Sequence, residues 1–149
     1  MATFTITGGG NTGYGANGPN VKVASVVIDL TDSDFSALAA TDVIEAIEVP
    51  AGTIVLSAGY EILTVGTGSG TLSLGDGGDV DRYVAAVAQT AAGQKTALAT
   101  NVPHLYTAAD TIDLTSATAV CNSKVNVWAV ICDCNNVEDA MHVTYNDNT

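Results

Sequence analysis

Positive charge is what this chain lacks most. Lys22, Arg82, Lys95 and Lys124 stand against sixteen acids, for a net charge of −12. The four bases are scattered, whereas a nucleic-acid surface needs Lys and Arg clustered to neutralise phosphates. An anionic membrane surface would repel the chain as well. Neither nucleic acid nor membrane is therefore expected as a partner. Cysteine is also sparse: Cys121, Cys132 and Cys134 are an odd number and do not read as a disulfide framework. No stretch reaches the ~18 apolar residues that span a bilayer. Met1–Thr7 has no charged start and no apolar h-region, so no signal peptide is expected, and synthesis in a cytosol or release by lysis follows.

Catalytic chemistry is equally thin. The two histidines, His104 and His142, lie in no recognisable motif, and nucleophilic catalysis needs a Ser or Cys with a nearby base and an orienting group. Gly8-Gly-Gly has no Lys-Ser/Thr after it, and the glycines at 66, 68 and 70 are too closely spaced for a dinucleotide fingerprint. Glu45, Glu48, Glu61 and Glu138 carry no motif for paired-carboxylate hydrolysis. Cys132-Asp-Cys134 with Cys121, His104 and His142 supplies zinc-type ligands, but at a spacing foreign to structural zinc sites. Such cysteines are more often small buried hydrophobes. No enzyme, cofactor or zinc site is expected.

What is present is alternation. The chain of 149 residues is long enough for one well-filled core, burying roughly 70% of its unfolded surface. Val21–Leu30, Val43–Val49, Thr53–Thr64, Thr71–Leu74, Thr111–Thr115 and Lys124–Asp133 all read as strands. In the last of these, Val125, Val127, Ala129 and Ile131 line one face while Trp128, Val130 and Cys132 line the other, which suits a strand central to a sandwich. Glu45 and Glu48 break strict period two, leaving the register of 43–49 open. Val49-Pro-Ala-Gly52 fits a type I turn, so 43–49 and 53–58 read as a hairpin; a kink is expected at Gly59. Thr31–Asp34 reads as a cap for one helical turn through Ala40. Residues 82–100 are alanine-rich enough for a helix capped by Asp81, but Gly93 and the flanking strands favour a strand over 82–88 and a loop after it. Residues 2–7 and 142–145 read as short terminal strands. About eight short strands with turn signals every 8–12 residues argue an all-β fold, an antiparallel β-sandwich of jelly-roll type.

Two stretches stand out. Gly75–Asp81 reads as a tight turn holding Asp76, Asp79 and Asp81. Three carboxylates in a glycine-bearing loop are weak candidates for Ca²⁺, but no Glu follows at the twelfth position, and Arg82 can pair with one of the acids. A solvated turn without a metal is the expectation. Residues 1–20 hold a short strand and the run Gly8–Asn20, whose six glycines resist regular structure. This segment reads as an arm, distinct from a sandwich domain over 21–149. Lacking bases, it would dock by backbone pairing and by burying Phe4, Ile6 and Tyr14. A loose tip of no function is the bland reading of the same residues.

The run Asp42–Ile62 is similar to small structural proteins of tailed bacteriophages, cyanophages among them. So are Thr71–Gly77, Asp81–Ala85, Asp110–Leu114 and Lys124–Val130. The resemblance covers most of residues 42–132 and lies in pattern and order. It implies a virion component, a decoration (cement) protein on the capsid exterior, with the major capsid protein as partner and a homotrimer as its usual state. The chain's acidity suits a particle surface that must stay dispersed, though it equally serves to keep an Ala/Val/Gly-rich chain soluble. The alternative is a tail-associated or carbohydrate-binding β-sandwich, which would need clustered exposed aromatics; the chain has one Trp.

Overall fold

The expected central strand is the axis of the fold. In the computed structural model, which describes residues 20–32, 35, 41–96, 101–117 and 121–134, nine strands run in the order β1 (Asn20–Asp29), β2 (Val43–Val49), β3 (Thr53–Thr64), β4 (Thr71–Asp76), β5 (Asp79–Ala88), β6 (Gly93–Thr96), β7 (His104–Tyr106), β8 (Asp110–Ser116) and β9 (Lys124–Asp133). They form two antiparallel sheets. Sheet A has the order β1-β9-β3-β6, with β7 sharing the far side of β3; sheet B has the order β2-β8-β4-β5. The strands 2–7 and 142–145 and most of the helical turn after Thr31 lie outside the described residues. Among the described residues no helix is long and apolar enough to cross a membrane.

β9 lies between β1 and β3, and its Val125, Val127 and Ala129 are fully buried. Beside them in the same sheet lie Val26 and Ile28 of β1 and Tyr60 and Ile62 of β3, and the core continues into sheet B with Leu72 and Leu74 of β4 and Ile112 and Leu114 of β8. β1, β4, β8 and β9 each give alternate residues to this interior, so burial fixes their register. Glu45 and Glu48 both reach solvent because a bulge between Glu45 and Ile47 resets the alternation of β2.

Several expectations are corrected. β2 and β3 are not a hairpin: β2 pairs with β8 in sheet B, and β3 pairs with β9, β6 and β7 in sheet A. The link between them turns one residue later than expected. The Thr53 N–H donates to the Pro50 carbonyl, with Gly52 at φ 77°, the positive φ that a type II turn demands at its third residue. The Gly52 N–H donates 2.7 Å to the Tyr106 carbonyl, so the crossing is tied to β7. The acidic turn is shorter than Gly75–Asp81, since only Gly77 and Gly78 separate β4 from β5. Finally, the loop expected after 88 contains β6, and His104, expected in a loop, begins β7. The irregularities of β3 fall at Val55/Ser57 and Ile62/Thr64, not at Gly59.

Candidate functional site

The acidic turn folds into two unlike parts. Asp76 ends β4 and is buried, while Asp79 and Asp81 on β5 are exposed. Asp76 Oδ1 accepts the backbone N–H groups of Gly78 (3.0 Å) and Asp79 (2.9 Å) and the Arg82 Nη2 (3.2 Å). Its Oδ2 accepts the Arg82 Nε and the Tyr106 hydroxyl, the latter at 2.9 Å. The Tyr106 and Tyr83 hydroxyls are 2.7 Å apart, and His104 Nε2 lies 4.0 Å from Oδ2. Burial pushes the Asp76 carboxyl up, but hydrogen bonds from Arg82 and Tyr106 and the guanidinium charge outweigh it and hold the group below its ordinary value. Arg82 is raised in turn, first by its hydrogen bond to Asp76. Burial pushes the Tyr83 phenol up to about 12 and raises Tyr106 further.

This cluster joins β4 and β5 of sheet B to β7 of sheet A. The Tyr60 hydroxyl of β3 makes a second crossing, donating 3.0 Å to the Leu72 carbonyl of β4. Both carboxylate oxygens of Asp76 are taken up by protein donors. Asp79 Oδ1 faces the Asp81 N–H at 3.4 Å. Among the described residues no three His, Cys, Asp or Glu side chains gather as a metal site. The cysteines stand apart: Cys121 is buried against Ser116 and the Thr71 carbonyl, whereas the Cys132 and Cys134 sulfurs are 3.9 Å apart beside the end of β9. The sequence spacing of six between Asp76 and Arg82 is readable as an ion pair. Tyr106, thirty residues on, is not, because its approach depends on how the sheets stack.

The two outer faces differ in chemistry. On sheet B the register sets Glu45, Asp113 and Gly75 in one row and Val43, Thr115 and Ser73 in the next, a mostly polar face on which Ser73, Asp113 and Thr115 are buried and Val43 and Glu45 exposed. Burial first, then the Asp110, Glu45 and Asp76 carboxylates, raise Asp113 above the usual carboxylate range against the hydrogen bond that Thr111 donates to it. On sheet A the rows are Val21-Cys132-Ile54, Val23-Val130-Ser57 and Ser25-Trp128-Gly59. Leu105 of β7 pairs with Ile54 beside them, and Val21, Val23, Leu56 and Leu105 are exposed. Trp128 is the one aromatic on an outer sheet face among the described residues, and its Nε1 donates 3.0 Å to Gln94 Oε1. Tyr60, Tyr83 and Tyr106 point inward and are buried. Phe4, Ile6, Tyr14 and His142 lie outside the described residues.

The chain matches no protein-family model and none of the curated proteins. Solved structures do match its fold. A chain in the capsid asymmetric unit of cyanophage Pam1 aligns at a TM-score of 0.61 and 22% identity, over 83% of this chain and 90% of that one. A chain in the capsid of Ralstonia phage GP4 aligns at 0.57 and 20%, over 75% and 83%. A chain in the acid-stable capsid of Helicobacter pylori bacteriophage KHP30 aligns at 0.55 and 13%, over 75% and 86%. The sandwich is thus a fold found in bacteriophage capsids.

Proposed function

We propose that this protein is a structural component of a bacteriophage virion: a decoration (cement) protein that binds the major capsid protein on the outside of the head and stabilises the shell. It is not an enzyme, it assembles in the host cytoplasm, and it acts as a homotrimer. The observation that carries the reading is the agreement in fold with chains of three phage capsids, covering at least 75% of this chain and 83% of each of those. The polar cluster supports it, because Asp76, Arg82, Tyr83 and Tyr106 engage one another to hold the sheets together. The apolar outer face of sheet A supports it too, as a surface suited to contact. The carbohydrate-binding alternative gains nothing from Trp128, which has no aromatic neighbour on its face among the described residues.

Residues 1–20 act in this reading as the docking arm, with Phe4, Ile6 and Tyr14 as anchors. Ordering each residue of such a segment costs on the order of 1–2 kcal/mol, so attachment draws on many copies over a particle rather than on a tight single contact. The test is to mix purified protein with heads that lack it and measure co-sedimentation. Occupancy is expected to saturate at a multiple of a capsid symmetry number, and no binding would defeat the reading. A variant lacking residues 1–20, checked for retained β-structure, is expected to bind more weakly; equal occupancy would assign attachment to the sandwich instead.

A further inference from the structure

A free strand edge offers unpaired N–H and C=O groups to any other strand, and proteins blunt such edges with charge, bulges or brevity. Three edges of this sandwich are blunted. β2 has exposed Glu45 and Glu48 flanking a bulge. β5 carries Asp79, Asp81 and Arg82 and shifts register twice against β4. The far side of β3 is divided between β6, of four residues, and β7, of three. β1 has neither bulge nor brevity, and its charges stand only near its two ends, at Lys22 and Asp29. Its ten residues run in unbroken register against β9, and among the described residues it pairs on that side alone. No charge lies between Lys22 and Asp29, and Val21, Val23 and Val27 are 61%, 66% and 53% exposed.

We propose that the β1 edge pairs antiparallel with β1 of a second copy about a two-fold axis at Ser25, joining the two A sheets into one. The occupant follows from the strand itself. Centred on Ser25, self-pairing sets Val23 opposite Val27 of the second copy and Ala24 opposite its Val26, so apolar side chains meet on both faces. Antiparallel pairing also brings the Lys22 end of each strand beside the Asp29 end of the other, whereas a parallel pair would set like against like. In a chain of net charge −12, this is a stretch that two copies approach with little repulsion. The edge is about 33 Å long at ~3.3 Å per residue, and main-chain bonds along it supply affinity. The contact is separate from the capsid reading and from its three-fold.

Sedimentation equilibrium of the full chain across the micromolar range tests it. Even multiples of the 15.0 kDa monomer are expected, and Val23→Lys, an edge-protecting change at an exposed position, is expected to halve the mass. In a second measurement, Ser25→Cys is expected to give a disulfide-linked dimer on mild oxidation, and Val21→Cys, far from its own symmetry mate, is not. A monomer, a mass unmoved by Val23→Lys, or equal cross-linking at 21 and 25 overturns the contact. A trimer unmoved by Val23→Lys overturns it while leaving the capsid reading standing. A dimer split by Val23→Lys that never binds heads does the reverse.

Discussion

Asp76 and Asp113 are two buried carboxylates pushed in opposite directions, and that makes their effects separable. Asp76→Asn removes the charge that Arg82 faces and weakens the hydrogen bonds from Arg82 and Tyr106. A loss on the order of 2–3 kcal/mol is expected in urea unfolding. The folded-state pKa of Asp76 is depressed, so its contribution is fully present above the unfolded value of about 3.9 and is lost as pH falls through the folded one. Asp113 is raised, so its ionised form weighs against folding above that raised value, and the penalty lifts as pH falls through it. Asp113→Asn, which keeps an acceptor for Thr111, is therefore expected to raise the neutral-pH melting temperature and to shrink any gain on mild acidification. A lower melting temperature at neutral pH would contradict this account.

At the scale of elements, the β4–β5 hairpin depends on a glycine that sequence alone would place in the turn. Gly75 lies within β4, and a Cβ there would press into the Asp79 carbonyl and the Val80 backbone. Gly75→Ala is expected to cost about 1–3 kcal/mol by forcing the strands apart, read as a lower urea midpoint. Gly77→Ala is expected to be milder, since its neighbour is the tip of the Asp110 side chain. The long strands β1, β3 and β9 were legible in the sequence because burial of one face writes a period of two, or nearly so, into ten or more residues. β6 and β7 were not, because Gly-Gln-Lys-Thr and His-Leu-Tyr have no pattern of their own and become strands only by adding to β3. The false hairpin of 43–58 has a similar cause: a tight turn at Pro50 looks the same locally whether the chain returns within a sheet or crosses between two. Of the site, the Asp76–Arg82 pair was within reach of sequence reading and the tyrosines that complete it were not.

For the whole molecule, the tyrosine contacts between sheets have a thermal consequence. Tyr83 and Tyr60 link sheets A and B at separate places, and the core is one continuous cluster. The sheets are expected to melt together, with far-UV and near-UV circular dichroism giving one coincident transition; separate midpoints would show that they unfold independently. The same melt is expected to be unmoved by a chelator or by added Ca²⁺, and Asp79→Asn to leave it unchanged, because both oxygens of the carboxylate that organises the turn accept protein donors, from Arg82, Tyr106 and the turn's own N–H groups. A drop of many degrees on chelation, reversed by Ca²⁺, would assign the turn to a metal.

The pairing of β1 with β9 also sets how the protein answers to force. Asn20, which opens β1, sits directly across from Asp133, which closes β9. Tension applied between these two residues pulls adjacent strands apart from one end, so the ladder opens one rung after another, as a zipper does. Tension applied from Asn20 to Lys124, at opposite ends of the same pair, must instead slide ten rungs at once. The sandwich is therefore expected to be soft when stretched across its Asn20–Asp133 pole and stiff along its strands. A particle that swells from within would be restrained well by the second loading and poorly by the first.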